Sequence, residues 1–262
     1  ICDGIIDLFL DTETRGRYLQ VRKLRGKNYD SSSISFSINN EGINLFPFNA
    51  PFLDYKASEE QVSTGIQGLD AMLQGGSFVG SSIFLSGASG TGKSVIAMQS
   101  TLAALKRGDK ALYLSVEESR EQIIRNAKGF GWDFRAEEEK GQLQILAFSP
   151  DKYSLEEVSA IICDEVEQNK ALIVVVDSLS ALSHAYDEKQ VYKTFTHLIP
   201  FLKERFITVI LLYAIGGFSG CSIASELILS AIVDTIIMLR YIEVKSQLRH
   251  GLLVLKHRGS SH

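Results

Sequence analysis

Residues Gly87 to Ser94 read Gly-Ala-Ser-Gly-Thr-Gly-Lys-Ser, an instance of the pattern G-x-x-x-x-G-K-S/T. The glycines let the main chain of Gly87, Ala88, Ser89, Gly90, Thr91 and Gly92 close its N–H groups around phosphate oxygens. In such a loop Lys93 reaches the terminal phosphates and the Ser94 hydroxyl can ligate Mg2+. Asp177 closes the apolar run Ala171 to Asp177. It therefore delivers one carboxylate to the carboxyl end of a strand, where ligands of open α/β sheets bind. Opposite the loop it would hold Mg2+, directly or through water. Glu117 and Glu118 follow a third apolar run as an adjacent pair. Adjacent carboxylates repel, so at least one is expected to meet a cation, and a glutamate near a γ-phosphate could orient and deprotonate attacking water. The blander alternative for the pair is favourable charge at a helix N-terminus.

Apolar periodicity supplies the elements that must position these groups. Short apolar runs at 82–86, 111–116, 143–148, 171–177 and 207–213 alternate with helical stretches at 94–107, 119–129, 154–168 and 187–204. Ser119 with Gln122 and Ser154 with Glu157 have capping-box spacing at two helix starts. The loop follows the strand "SIFLS" and opens a helix, the context a phosphate-binding loop requires. The expectation is an α/β fold, a RecA-like P-loop NTPase core that binds ATP over residues 57–262. Its central, mainly parallel sheet is flanked by helices, with antiparallel hairpins added.

Composition removes other classes. The chain has 262 residues, 45% of them hydrophobic, which is ample for a buried core, and no apolar run is long enough to span a bilayer. A net charge of -4 gives no global basic field for nucleic acid. Cys2, Cys163 and Cys221 are odd in number and widely spaced, which argues for reduced thiols and a cytoplasmic setting. His184, His197, His250, His257 and His262 lack ligand spacing and read as structural or surface residues, and Trp132 reads as a packing anchor.

The chain also repeats itself. Asp3 to Gly26 and Asp234 to Gly259 are each a strand, a polar turn, a second strand and a K-x-R-G end. Lys23, Arg25 and Gly26 align with Lys256, Arg258 and Gly259 after a two-residue gap at the turn. The expectation is two homologous domains in tandem: residues 1–56 are the C-terminal remnant and linker of the first, and residues 57–262 are the second. With no Met at its start, the chain is expected to begin inside a longer protein, lacking most of the first domain and the tail of the second.

Three stretches carry a resemblance: Ser63 to Gly76, "STGIQGLDAMLQGG"; Ser115 to Phe134, "SVEESREQIIRNAKGFGWDF"; and Asp177 to Leu182, "DSLSAL". Together they resemble the KaiC family of cyanobacterial circadian clock proteins and their bacterial paralogues, over nearly the whole chain. The resemblance implies hexameric rings with ATP at subunit interfaces, slow hydrolysis, and autophosphorylation by the second domain. By motif, Lys93 and Ser94 match the family's phosphate and Mg2+ ligands, Glu117 and Glu118 its catalytic glutamates, and Asp177 its second acid. Lys256 and Arg258 match residues that reach the neighbouring subunit's γ-phosphate, although a K-x-R pair can also be a solvated strand edge. The family's acceptor pair is Ser-Thr, with a further Thr upstream. Here those positions read Ser230-Ala231 and Ser225, so Ser230 is the acceptor left, and a two-site phosphorylation cycle is in doubt.

Two other readings compete with a signalling ATPase and Ser/Thr autokinase that meets regulatory protein partners. A DNA-dependent recombination motor needs a basic mobile loop, and the candidate segment 214–226 holds no Lys or Arg. A nonenzymatic scaffold that uses ATP as interface glue stays open, because Glu117 can be present while turnover is negligible.

Overall fold

The structure, a computed structural model, describes residues 2–11, 16–39, 42–46, 56–215 and 231–260. Four antiparallel strands come first: β1 (Gly4–Leu10), β2 (Arg17–Leu24), β3 (Ser33–Asn39) and β4 (Gly42–Phe46), in that spatial order. The short strand β5 (Gln61–Val62), helix α1 (Gln67–Met72) and strand β6 (Ser77–Phe78) lead into the main layer.

That layer alternates strand and helix: β7 (Ser82–Gly87), α2 (Lys93–Arg107), β8 (Lys110–Ser115), α3 (Arg120–Gly129), α4 (Phe134–Glu139), β9 (Leu143–Ala147) and α5 (Leu155–Asn169). It continues with β10 (Ala171–Asp177), α6 (Leu179–Ala185), α7 (Glu188–Glu204), β11 (Thr208–Ala214), β12 (Thr235–Val244) and β13 (Gln247–His257). The seven-stranded sheet has the order β13-β12-β7-β11-β10-β8-β9. All its pairs are parallel except β12 with β13. This is the expected RecA-like architecture.

The strands read as continuous apolar runs because helices cover both faces of a parallel sheet. Alternate residues of one strand serve opposite cores. Val174 and Val176 join the cluster under α5, α6 and α7, whereas Ile173 and Val175 join the cluster under α1 to α4. Both expected capping boxes form: Ser119 accepts from the Gln122 N–H and Ser154 from the Glu157 N–H, and each partner side chain returns a bond to the cap N–H. Helices α1, α4 and α6 were not among the expected elements. Each is short, with 6, 6 and 7 residues, too few for a helical period to stand out. Helix α7 runs through Pro200, a residue that usually marks a helix end.

The small sheet lies against α5, with β3 and β4 facing it and the Tyr18 hydroxyl 3.2 Å from Glu156 Oε1. No helix among the described residues is long and apolar enough to cross a membrane. Cys2 and Cys163 are free thiols, and Cys221 lies outside the described residues.

Candidate functional site

Parallel register brings the carboxyl ends of β7, β11, β10 and β8 to one edge of the sheet. Gly87 pairs with Ala214 on β11, and Asp177 on β10 pairs with Ser115 on β8. One strand therefore separates the strand that feeds the loop from the strand that ends in Asp177. That separation is about 10 Å, at about 4.8 Å per strand.

Close packing requires glycine at two positions of the loop. A side chain on Gly87 would meet the Leu239 carbonyl oxygen at 2.5 Å, so β12 can pack beside the loop only if this residue has none. Gly90 sits at φ 78°, in the left-handed region, where a Cβ would also lie 2.8 Å from the Tyr241 hydroxyl. The Thr91 hydroxyl donates to the Ala88 carbonyl at 2.7 Å and tightens the turn. The Lys93 ammonium folds over the loop, donating to the Gly87 and Ala88 carbonyls at 2.8 and 2.9 Å. Burial pushes the Lys93 pKa down, while the negative charges of Asp177 and Glu117 push the other way.

Asp177 is a buried carboxylate. Its Oδ2 accepts from the Tyr113 hydroxyl at 2.7 Å, and Ser94 lies close enough to act on its charge. Burial raises its pKa above the usual carboxylate value. The Tyr113 hydrogen bond and the nearby Ser94 hydroxyl oppose that rise, and the charges of Glu117 and Glu118 add to it. The Tyr113 phenol is pushed well above its ordinary value, first by burial and then by the Asp177 charge.

The two glutamates part company. Glu117 is exposed, and its Oε1 accepts from the Ser178 hydroxyl at 2.6 Å, which ties it to the residue after Asp177. Glu118 turns to α3, where the Asn126 amide donates to both its oxygens at 3.2 and 3.0 Å. Of the pair, Glu117 thus stays beside Asp177 and Lys93, and Glu118 is a buttress of the strand-to-helix turn.

Ser94, Asp177 and Glu117 offer a hydroxyl and two carboxylates, a hard-oxygen donor set that fits Mg2+, and the Lys93 ammonium beside them offers a positive charge for phosphate. Among the described residues no three His, Cys, Asp or Glu side chains form a metal cage. Mg2+ needs none when phosphate oxygens and water complete its octahedron.

Lys256 and Arg258 lie elsewhere in this chain. Lys256 pairs with Ile236, which pairs with Phe84, and the Arg258 N–H bonds the carbonyl of Asp234, whose own N–H bonds that of Ser82. Arg258 is therefore level with the amino end of β7, about 16 Å along the strands from Gly87 at about 3.3 Å per residue. Lys256 donates to the Val233 carbonyl at 2.6 Å and Arg258 to that of Ala231 at 3.1 Å. Burial, and then the Arg258 charge, push the Lys256 pKa down. The fold brings the loop residues together with Asp177 and Glu117, turns Glu118 to α3, and keeps this cation pair apart from them.

Ser225, Ser230 and most of segment 214–226 lie outside the described residues. Trp132 is partly buried on the α1–α4 core and stacks on Phe130 at 5.0 Å. His257 is buried between Thr235 and the Phe78 ring, a structural position. Sequence reasoning missed Tyr113, Ser178 and Tyr241, whose hydroxyl lies 3.4 Å from the Ser89 carbonyl.

Residues 62–262 match the family model described as "ATPase: KaiC". Over 258 residues, 98% of this chain and 49% of the relative, the chain is 36% identical to the circadian clock oscillator protein KaiC of Acaryochloris marina. It is 34% identical to the circadian clock protein KaiC3 of Synechocystis over 98% of this chain and 51% of that protein. With KaiC of Synechococcus elongatus it shares 33% over 100% of this chain and 51% of the relative. The chain spans about half the length of the curated relatives it matches.

Proposed function

This chain belongs to the KaiC ATPase family, and we propose that it binds Mg-ATP in the Gly87–Ser94 loop and hydrolyses it slowly. One observation carries the reading: Lys93, Ser94, Asp177 and Glu117 converge on one edge of the sheet, where the charges of Asp177 and Glu117 act on Lys93. Backbone N–H groups from Gly87 to Gly92 bind the phosphates, with the start of α2 adding positive potential. Ser94 and Asp177 would hold the metal, which when bound offsets charge on the phosphate oxygens. Glu117, anchored by Ser178, orients the attacking water and takes its proton. Glu118 holds the turn that carries Glu117.

Lys256 and Arg258 act on the nucleotide of a neighbouring copy, because they sit too far from the loop of their own chain. A cation supplied in trans neutralises charge spreading over the phosphoryl oxygens and makes turnover depend on assembly. That dependence fits a hexameric, cytoplasmic ring open to regulatory protein partners. Residues 1–56 are the end of a preceding homologous domain, and 57–262 are the catalytic unit. Ser230, four residues before Asp234, competes with water for the γ-phosphate, which would make the protein a Ser/Thr autokinase of clock-like signalling type.

A single-turnover assay with labelled Mg-ATP, reading free and protein-bound phosphate separately, tests the reading. Free phosphate should form, with label appearing on Ser230. Lys93→Ala should weaken nucleotide binding at least about tenfold, or about 1.4 kcal/mol. Unchanged affinity in Lys93→Ala would overturn the loop assignment, and free phosphate without bound label would remove the kinase activity alone.

A further inference from the structure

We infer that Tyr113 determines the metal preference of this site: its phenol occupies Oδ2 of Asp177 and confines that carboxylate to one-oxygen contact with a cation, favouring Mg2+ over Ca2+. The inference rests on the reading of the loop and Asp177 as a metal–nucleotide site.

Tyr113 is on β8, where it pairs with Val175 of β10, so its side chain stands on the same sheet face as Val175 and Asp177, two residues short of the end of β10. The ring is 1% exposed and belongs to the same apolar cluster as Leu85, Ile123, Val175 and Leu212. It has no room to swing away, and its hydroxyl stays 2.7 Å from Oδ2. A buried phenol without a partner would be costly, so the bond is held from both ends. Oδ2 is thereby turned into the protein, towards a group that fills the place a cation would need.

Bidentate chelation requires both carboxylate oxygens to face the metal. Ca2+ takes six to eight oxygens at about 2.3–2.6 Å and uses bidentate carboxylates readily. Mg2+ demands an octahedron at about 2.0–2.1 Å, keeps several waters, and binds through one or two carboxylates together with phosphate. A carboxylate with one oxygen committed to a phenol serves the second ion better than the first. Glu117 too has one oxygen engaged, its Oε1 by Ser178, which disfavours two-oxygen contact there as well.

The test is the affinity of the chain for a non-hydrolysable ATP analogue in Mg2+, in Ca2+ and in EDTA, for wild type, Tyr113→Phe and Tyr113→Leu. Circular-dichroism melting identifies the folded variants, and the Leu variant serves as a second hydroxyl-free protein should Phe not fold. The ratio of the Ca2+ to the Mg2+ dissociation constant should fall about three- to tenfold once Oδ2 is released, with EDTA affinity unchanged within about twofold. A folded hydroxyl-free variant that keeps the wild-type ratio would overturn the inference while leaving the site reading intact. Equal wild-type affinity in all three media would instead overturn the site reading, and the inference with it.

Discussion

The hairpins β1–β2 and β12–β13 share one local design and differ in what surrounds it. Gly4 pairs with Leu24 as Thr235 pairs with His257, and both ladders carry an irregularity at the same place, Ile5/Ile6 and Ile236/Ile237. Lys23 donates to the carbonyl of Cys2 at 2.9 Å, as Lys256 does to that of Val233. The Arg25 N–H bonds the Asp3 carbonyl, as Arg258 bonds that of Asp234, with the guanidiniums 3.7 and 3.9 Å from the two carboxylates. The register thus extends the sequence repeat into three dimensions. Its surroundings do not repeat. Among the described residues β1 is the outer strand of its sheet, whereas β12 lies between β13 and β7. Ile6 is 62% exposed and its counterpart Ile237 2%. Hairpin geometry is a local property, and the energetic weight of its residues comes from the elements packed on it.

The charged centres should differ most. Asp234 accepts from Lys203 at 2.6 Å and from the Ser82 N–H and hydroxyl at 2.9 Å, and Lys203 is itself buried. Removing that carboxylate strands a buried ammonium, so Asp234→Asn should cost about 3–5 kcal/mol in urea unfolding. Asp3, whose pair with Arg25 is largely in solvent, should change stability by no more than about 1 kcal/mol as Asp3→Asn. Burial alone would raise the Asp234 pKa, but Lys203 and Ser82 overcome it and hold the carboxyl below its ordinary 3.8. Its stabilisation is then complete above that value and lost as pH falls further. The stability gap between wild type and Asp234→Asn should accordingly narrow in acid, and a gap that widens there would contradict the assignment.

The apolar counterparts come next. Ile237→Ala should cost about 2–5 kcal/mol, and Ile6→Ala no more than about 0.5 kcal/mol. Equal losses in this chain would break the comparison. In a longer chain that covers β1, a rise in the cost of Ile6→Ala would sharpen it, by placing a preceding domain against that strand.

Much of this was legible in sequence because it is local. The loop pattern, the capping boxes at Ser119 and Ser154, and the repeated K-x-R-G ends each depend on residues close in the chain. The core strands were legible because a parallel sheet buried on both faces writes unbroken apolar runs. Tyr113 was not, although a tyrosine inside "ALYLSV" is a polar tip on an otherwise apolar strand. Its meaning depends on β8 lying beside β10, an order of strands that no short segment encodes. The division of labour between Glu117 and Glu118 has the same origin, since Ser178 and Asn126 come from different neighbours. The distance of Lys256 and Arg258 from the loop is likewise a matter of which end of β7 they face.

That last separation is the centre of the account, and one mixing experiment addresses it. Chains carrying Lys93→Ala have a disabled loop with intact cations, and chains carrying Arg258→Ala have an intact loop without its cation. Each alone should be nearly inactive. Combined, they form interfaces in which an intact loop meets intact Lys256 and Arg258, so ATP hydrolysis should return and be greatest near equal amounts. Hydrolysis that stays absent at every ratio, while native mass spectrometry finds the two chains in one assembly, would contradict action across the interface.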